Sequence, residues 1–338
     1  MTRRRPRDPA ELVTDPGVLE STATLEVFGS TATVSVGGRA ILPHRGQWLA
    51  ARQRSVDAYG WFDELPTGRY RQSVVHLQKG RAATEQGLHE AWCRLEPGGR
   101  LLLAGGNELG VKSAVQRVSV ALDDEPEIVA NRARARVACW SRRDREPPTV
   151  PAVDDITIAA GGDRFTLGST PGVFSADALD PGSGLLLEHL ESVAPPNRLF
   201  DPGCGVGVLG LAALRRWPHA TAMLADVDVR AVGCARANAD RLGVGDRCAT
   251  TWWDAVSEPA PTEGCDLVLI NPPFHSGVPV DLQPARAMFR TIDTVLRPGG
   301  RALVVANRTL PWERDLRELG TLRQLADARG YKVLELTR

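Results

Sequence analysis

Along the second half of the chain, apolar runs of strand length alternate with stretches of helical spacing. RLFDPG (198–203), TAMLADV (221–227), CATTWWD (248–254), CDLVLIN (265–271), RALVVAN (301–307) and YKVLELT (331–337) read as strands. Apolar positions recurring every three to four residues predict helices over 208–216, 231–242 and 285–296. Such alternation predicts an α/β domain with a mostly parallel sheet covered by helices on both faces. Its ligands should gather at the carboxyl ends of the strands.

The first half carries an echo of this pattern. LEPGGRLLLA (95–104) recurs as LRPGGRALVV (296–305), each preceded by a helical stretch, TEQGLHEAWCRL and PARAMFRTIDTVL. The repeated unit reads as a helix ended by Pro-Gly-Gly and followed by a buried strand, so two related α/β halves are expected. Prolines and charges interrupt the pattern in DREPPTVPAVDD (144–155), which places a boundary there. The predicted domains are 1–148 and 151–338, both of ordinary size.

Composition narrows the class of protein. Of 338 residues, 43% are hydrophobic and 24% charged, with a formal net charge of zero, as in a soluble globular protein. Lys and Arg outnumber Asp and Glu 22 to 18 in residues 1–150, whereas acids lead 23 to 19 in 151–338. The apolar runs are far short of the roughly 20 residues of a membrane span. MTRRRPRDPAEL has no apolar segment behind it, so neither a signal nor an anchor is read there and a cytoplasmic location is expected. Six cysteines without CxxC spacing fit reduced thiols, with neither disulfides nor a metal expected.

Candidate chemistry lies at the strand ends. DPGCGVG (201–207) is a glycine turn between a strand and a helix, where Gly203, Gly205 and Gly207 permit positive φ and a ligand can touch backbone. A dinucleotide fingerprint lacks an acid at the start of this turn; Asp201 would repel a pyrophosphate and suits a ligand with positive charge. Asp226, at the next strand end, is placed to accept both hydroxyls of a ribose. Asp254, at the third, could take an exocyclic adenine amine, with Trp252 or Trp253 as an apolar wall. Each Asp alone reads more readily as a surface or capping residue; it is three carboxylates at three successive strand ends, followed by NPPF at the fourth, that point to a ligand site. Finally, Pro272 and Pro273 in NPPFHSG (271–277) cannot continue the preceding strand, which leaves a rigid turn with an amide side chain and bare carbonyls.

Four segments together resemble the class I S-adenosylmethionine (SAM) methyltransferases: TPGVFSADALDPGSGLLL (170–187), DPGCGVGVLGLAAL (201–214), NPPFHSG, and LRPGGRALVVAN with its YKV ending. Within them the chain is similar to the methyltransferase small domain group, the ribosomal-RNA guanine-N2 methyltransferases of the RsmC and RlmG type. The first half resembles that group's degenerate amino-terminal copy through VVHLQKGR, LEPGGRLLLAGGN and GVKSA. It has neither GxGxG nor NPPF, so it is expected to bind neither SAM nor a target base, and to grip RNA or support the catalytic half.

The resemblance implies two tandem Rossmann-like domains, the second with a seven-stranded sheet, and a monomer acting on ribosomal RNA or a ribosomal subunit. SAM would be held by Asp201, Gly203, Gly205, Gly207, Asp226, Asp254 and Asn271. Catalysis would fall to Asn271, Pro272, Pro273 and Phe274. The Asn271 side-chain oxygen and the Pro272 carbonyl would accept from the two N–H bonds of the target amine, and Phe274 would stack on the flipped base, worth about 1–3 kcal/mol. Phe174 would cover the cofactor or base, with core packing as its alternative, and His275 would flank the base. NPP-aromatic turns also serve adenine N6 and protein glutamine, so the motif specifies a planar amine or amide. A non-catalytic RNA-binding assembly factor would not need both motifs intact. For RNA, Arg132, Arg134 and Arg136 alternate, which on a strand would place all three on one face.

Overall fold

The computed structural model describes residues 12–20, 22–29, 38–273 and 282–338. The chain divides into two compact units, Met1–Ala152 and Val153–Arg338. Among the described residues, no helix is long and apolar enough to cross a membrane.

The first unit contains strands β1 (Thr24–Val27), β2 (Arg39–Ile41), β3 (Ala58–Tyr59), β4 (Tyr70–His76), β5 (Leu95–Gly106), β6 (Glu127–Arg132) and β7 (Ala135–Ser141). Its helices are α1 (Arg45–Gln53), α2 (Arg81–Cys93) and α3 (Val111–Leu122). One sheet runs β3-β2-β1-β4-β5-β7-β6, parallel through β5, with β7 antiparallel to both of its neighbours.

The second unit opens with a hairpin, β8 (Ile156–Ala160) and β9 (Asp163–Leu167), then α4 (Pro181–Leu187). There follow β10 (Arg198–Pro202), α5 (Val208–Arg216), β11 (Thr221–Asp226), α6 (Val229–Arg241), β12 (Cys248–Trp252) and β13 (Cys265–Ile270). The remainder is α7 (Gln283–Val295), β14 (Leu296–Asn307), α8 (Glu313–Arg317), β15 (Thr321–Ala328) and β16 (Tyr331–Thr337). Its sheet runs β12-β11-β10-β13-β14-β16-β15, the same order as the first. Strand order reverses at β10, and at such a switch point the helices diverge to opposite faces and leave a crevice between β10 and β13.

The LVLI run of β13 (267–270) is continuously apolar because both of its faces are covered. Leu267 and Leu269 join Leu199 and Leu303 in one core, while Val268 and Ile270 join Phe200 and Val304 in the other. All are fully or nearly fully buried, and side chains of this size each contribute about 1.5–3 kcal/mol when withdrawn from water. These two cores hold the strand ends in place for whatever the crevice binds.

The repeated Pro-Gly-Gly does not end a helix as its sequence suggests. Helices α2 and α7 stop at Cys93 and Val295, and β5 and β14 have already begun at Leu95 and Leu296. Pro-Gly-Gly instead forms a bulge at which the strand register shifts. Gly98 and Gly299 take φ of 78°. A Cβ on Gly99 would lie 2.9 Å from the Glu96 carbonyl oxygen, and one on Gly300 would lie 2.9 Å from that of Arg297. The first glycine of each pair is therefore required by backbone conformation and the second by close approach, which explains why both copies keep both.

Candidate active site

The glycine turn between β10 and α5 is laid over the end of β11. Gly203 and Cys204 donate their backbone N–H groups to the Ala225 carbonyl at 2.7 and 3.0 Å. Gly203, Gly205 and Gly207 take φ of 75°, 55° and 95°, a region that side chains rarely adopt. Their surroundings differ. A Cβ on Gly203 would meet Met288 Cε at 2.6 Å and one on Gly207 would meet Leu211 Cδ1 at 2.7 Å, whereas one on Gly205 would meet nothing within 4 Å. Gly205 therefore faces open space at the mouth of the crevice, and the other two pack the turn against the protein.

Two carboxylates hold this turn. Asp201, buried, accepts the Gly210 N–H of α5 on Oδ2 at 2.8 Å, while its Oδ1 is buried with no hydrogen-bond partner among the described residues. Asp226, half-buried, accepts the Gly205 N–H on Oδ2 at 2.8 Å and the Asp228 N–H on Oδ1 at 2.9 Å. Burial pushes the Asp201 carboxyl up to about 7, opposed by the Gly210 N–H and assisted by the negative Asp226. Burial likewise pushes Asp226 up to about 6 against its backbone donors. Two carboxylates held this far above their ordinary range suit a site that a cation completes. When ionised, both carboxylates retain acceptor capacity beyond the backbone bonds they already accept.

Asp254 has the capping geometry of its plainer reading. Its Oδ1 accepts the Val256 N–H at 3.0 Å and its Oδ2 the Ser257 hydroxyl, closing the turn after β12. The two tryptophans separate. Trp253 is buried edge-on against Phe200, with ring centroids 5.8 Å apart, so it cannot be the wall of a ligand site. Trp252 is half-buried and donates its indole N–H to the Val227 carbonyl at 2.8 Å, just past the end of β11.

Asn271 follows β13 directly. Leu199 and Phe200 of β10 pair with Leu267 and Val268 of β13, and three residues beyond the second pair bring Gly203 level with Asn271 on neighbouring strand ends. Both amide hydrogens of Asn271 are taken: Nδ2 donates to Asp180 Oδ1 at 2.8 Å and to Ser183 Oγ at 2.9 Å. No described residue donates to its Oδ1. Pro272 is buried and Pro273 exposed. Phe274 and His275 lie outside the described residues.

Asp180 also caps α4 by accepting the Ser183 N–H at 2.7 Å, and Pro181 begins the helix. The segment before it is held by α6, where the Arg230 guanidinium donates to the Pro171 and Gly172 carbonyls at 3.3 and 3.4 Å while pairing with the N-cap Asp228 at 2.6 Å. Phe174, carried by that segment, is 63% exposed, so core packing is not its role. The buried Asn238 of α6 ties Gly168 to the glycine turn, accepting the Gly168 N–H at 2.7 Å and donating to the Gly168 and Val206 carbonyls. The sequence reading missed Asp180, Ser183, Arg230 and Asn238 as site residues. Only Asp180 carried a local signal, the Asp-Pro-x-Ser start of a helix.

The three arginines do not share a strand face. Arg132 ends β6, Ala133 and Arg134 form the hairpin tip at φ of 53° and 64°, and Arg136 lies on β7. Arg132 sits opposite Ala135 and Arg136 opposite Asn131, so Arg132 and Arg136 point to opposite faces. Arg132 also pairs with Asp15. Alternation in sequence became a two-residue turn because two adjacent residues adopt the left-handed conformation that such hairpins require.

A family model described as "Methyltransferase small domain" matches residues 164–335, which reach from before β10 into the last strand of the second sheet, β16. Similarity to curated proteins extends over most of the chain. A protein of Ectopseudomonas mendocina named ribosomal RNA small subunit methyltransferase C is 33% identical over 306 residues, covering 87% of this chain and 89% of its own. The like-named protein of Pseudomonas paraeruginosa is 32% identical, covering 88% and 90%. Among solved structures, the T. thermophilus 16S rRNA N2 methyltransferase RsmC, in complex with AdoMet and guanosine, superposes with a TM-score of 0.85 at 25% identity, over 99% of this chain and 93% of that one. On the family model and on these identities and coverages, the chain belongs to the methyltransferase small domain family.

Proposed function

We propose that this protein transfers a methyl group from SAM to the exocyclic N2 amine of a guanine in the small-subunit ribosomal RNA, acting in the cytoplasm. The observation that carries this reading is Asn271. Its amide hydrogens are occupied by Asp180 and Ser183, which leaves Oδ1 as an acceptor at the end of β13, beside the glycine turn. The names and bound molecules of the relatives support the same substrate and cofactor.

The crevice fits SAM. Gly205 offers backbone with open space before it, and Asp201 and Asp226 offer negative charge that burial makes costly until a cation arrives. Asp226 and Asp254, at successive strand ends, are the acceptors assigned to the ribose hydroxyls and the adenine amine. When bound, SAM supplies a methyl group on a sulfonium sulfur, whose C–S bond breaks as an N–C bond forms.

The protein's own part is to make a weak nucleophile attack. A guanine N2 lone pair is delocalised into the ring. Asn271 Oδ1 and the Pro272 carbonyl, accepting from its two N–H bonds, favour the pyramidal amine and stabilise the positive charge that develops on nitrogen. Pro272 and Pro273 have no N–H to offer a neighbouring strand, so the turn keeps its carbonyls for the substrate. The proton released after transfer passes to solvent. Phe274 and His275 are assigned to the flipped base by the resemblance. The first unit, with no glycine turn of this kind, is assigned to RNA binding or support.

The test is methylation of ribosomal RNA or small subunits from a deletion strain, with products hydrolysed and identified by mass spectrometry. N2-methylguanosine is expected, and N6-methyladenosine or no product would overturn the assignment. Asn271→Ala should lower turnover by about 10²–10³-fold with little change in SAM affinity, as for loss of one preorganised transition-state partner.

A further inference from the structure

We infer that Asp180 is a positioning residue for methyl transfer, acting with Ser183 through Asn271. The inference rests on the role just given to Asn271 and concerns what makes that role possible.

A terminal amide has two ends of nearly equal size and opposite hydrogen-bonding sense. An Asn at a substrate turn could present either its oxygen, which would accept from the target amine, or its NH2, which would oppose that amine donor to donor. An ionised carboxylate only accepts, so Asp180 Oδ1 at 2.8 Å admits only the NH2 end of Asn271. Ser183 Oγ, at 2.9 Å, takes the second hydrogen. With both hydrogens engaged on the α4 side, Oδ1 is turned to the opposite side of the amide. Donation into a carboxylate also polarises the amide and strengthens Oδ1 as an acceptor, which matters most when positive charge appears on the substrate nitrogen.

Asp180 is itself well placed to serve as a reference point. It caps α4 through the Ser183 N–H. The helix it caps is fixed by the buried Leu185, Leu186 and Leu187 and by Gly182, where a Cβ would lie 3.0 Å from the Tyr331 ring of β16. Asp180 and Ser183 thus tie the catalytic turn to a rigid element 88 to 91 residues away in sequence.

The test is a double-mutant cycle on the full chain, with turnover measured at saturating SAM and RNA. Asp180→Ala should lower kcat by about tenfold to a hundredfold, comparable to what second hydrogen-bond partners contribute to a metal-ligating side chain. KM for RNA and the SAM affinity should stay within about twofold, since neither ligand is contacted. Asp180→Asn retains a good helix cap and guards against loss of fold; because its own amide can turn either way, it should lose less, about threefold to tenfold. In the Asn271→Ala background, Asp180→Ala should cost nothing further in kcat. An equal loss in both backgrounds would show that Asp180 acts independently and would overturn the positioning role while leaving the Asn271 assignment standing. An unchanged kcat in Asn271→Ala alone would instead remove the Asn271 assignment, and the positioning role with it.

Discussion

The two units share a sheet order but differ at the point where that order reverses. Their strands can be matched through the repeated LxPGGR segment. Arg100 lies opposite Gln72, and its counterpart Arg301 lies opposite Leu267. Gln72 pairs with Thr24, and Leu267 with Leu199. Counting along the strands, Glu26 takes the place of Asp201, and His76 that of Asn271. Where the second unit has two polar groups facing a crevice, the first has two that meet each other: His76 Nε2 lies 3.1 Å from Glu26 Oε1, and both residues are buried. That separation is ion-pair distance when the imidazole is protonated, and among the described residues neither Glu26 oxygen makes a well-aligned hydrogen bond. A Cβ on Gly29 would lie 2.2 Å from both side chains, so no space remains. Between its first two strands the first unit has eleven residues, 28–38, and the second has eighteen, 203–220, which accommodate the glycine turn and α5. The seven-stranded sheet is thus compatible with a site and does not create one. The site comes from a glycine turn that leaves room and from polar groups that are not satisfied by each other.

Filling the room beside the glycine turn should have the greatest consequence. Gly205→Asp places a side chain in the open space and adds negative charge on a backbone of positive φ, so it should abolish SAM binding in calorimetry while the first unit is unaffected. Undiminished affinity would mean that SAM does not lie against this turn.

The converse experiment tests the occupied crevice. His76→Leu leaves Glu26 buried without its partner and should destabilise the protein by about 3 kcal/mol, read by denaturant unfolding, while SAM affinity stays unchanged. Replacing both residues, Glu26→Leu with His76→Leu, should recover most of that loss, because an apolar pair removes the uncompensated charge. Loss of SAM affinity in either variant would show that the first unit's crevice contributes to cofactor binding.

The second unit was largely legible because its strands are continuous apolar runs and its helices have clean spacing. The predicted 208–216 helix and the 331–337 strand coincide with α5 and β16. The glycine turn and the NPP turn were legible for another reason: each violates the pattern of the element it follows, and only a ligand or a tight turn gives such a violation a purpose. Strand β15 was not read because it is an edge strand with mostly half-buried or exposed positions and no clear alternation. Hairpin β8–β9 begins directly after the expected boundary segment 144–155 and was not read, although its Gly161-Gly162 turn is a recognisable signal. Asp180, Ser183 and Asn238 were invisible as site residues for a deeper reason. Their roles are contacts spanning 32 to 91 residues, and no local pattern encodes which distant atom a polar side chain will meet.

A change of pH acts on the same crevice through its two carboxylates. Asp201 and Asp226 are held near 7 and 6 by burial, so in the ligand-free protein their protonated forms are favoured by folding. The stability they contribute is fully present below the ordinary carboxylate range and is lost as pH rises through 6 to 7. Binding of a cation runs the other way, since it requires the ionised forms. SAM affinity should therefore fall by at least about tenfold between pH 8 and pH 5.5, with proton release on binding at pH 6. Asp201→Asn should flatten the upper part of that profile. An affinity independent of pH over this range would mean that these carboxylates do not sense the ligand's charge.

The smallest expected effect concerns the first unit's arginines, whose geometry now sets its size. On one strand face, Arg132, Arg134 and Arg136 would each neutralise a phosphate. The structure instead puts them on a hairpin tip and two opposite faces, with Arg132 already paired with Asp15. Arg136 is half-buried, and its Nε is buried with no hydrogen-bond partner among the described residues, so less of its side chain is open to a phosphate than in an exposed arginine. Arg134, exposed at the tip, is the one best placed to meet RNA. Replacing all three with Ala should therefore reduce the slope of log K against log salt for RNA binding by about one. Arg134→Ala alone should account for most of it, with SAM affinity intact. A reduction near three in filter-binding titrations would show that the hairpin reorganises on RNA. An unchanged slope would assign these arginines to solvent and place the RNA-binding surface elsewhere on the chain.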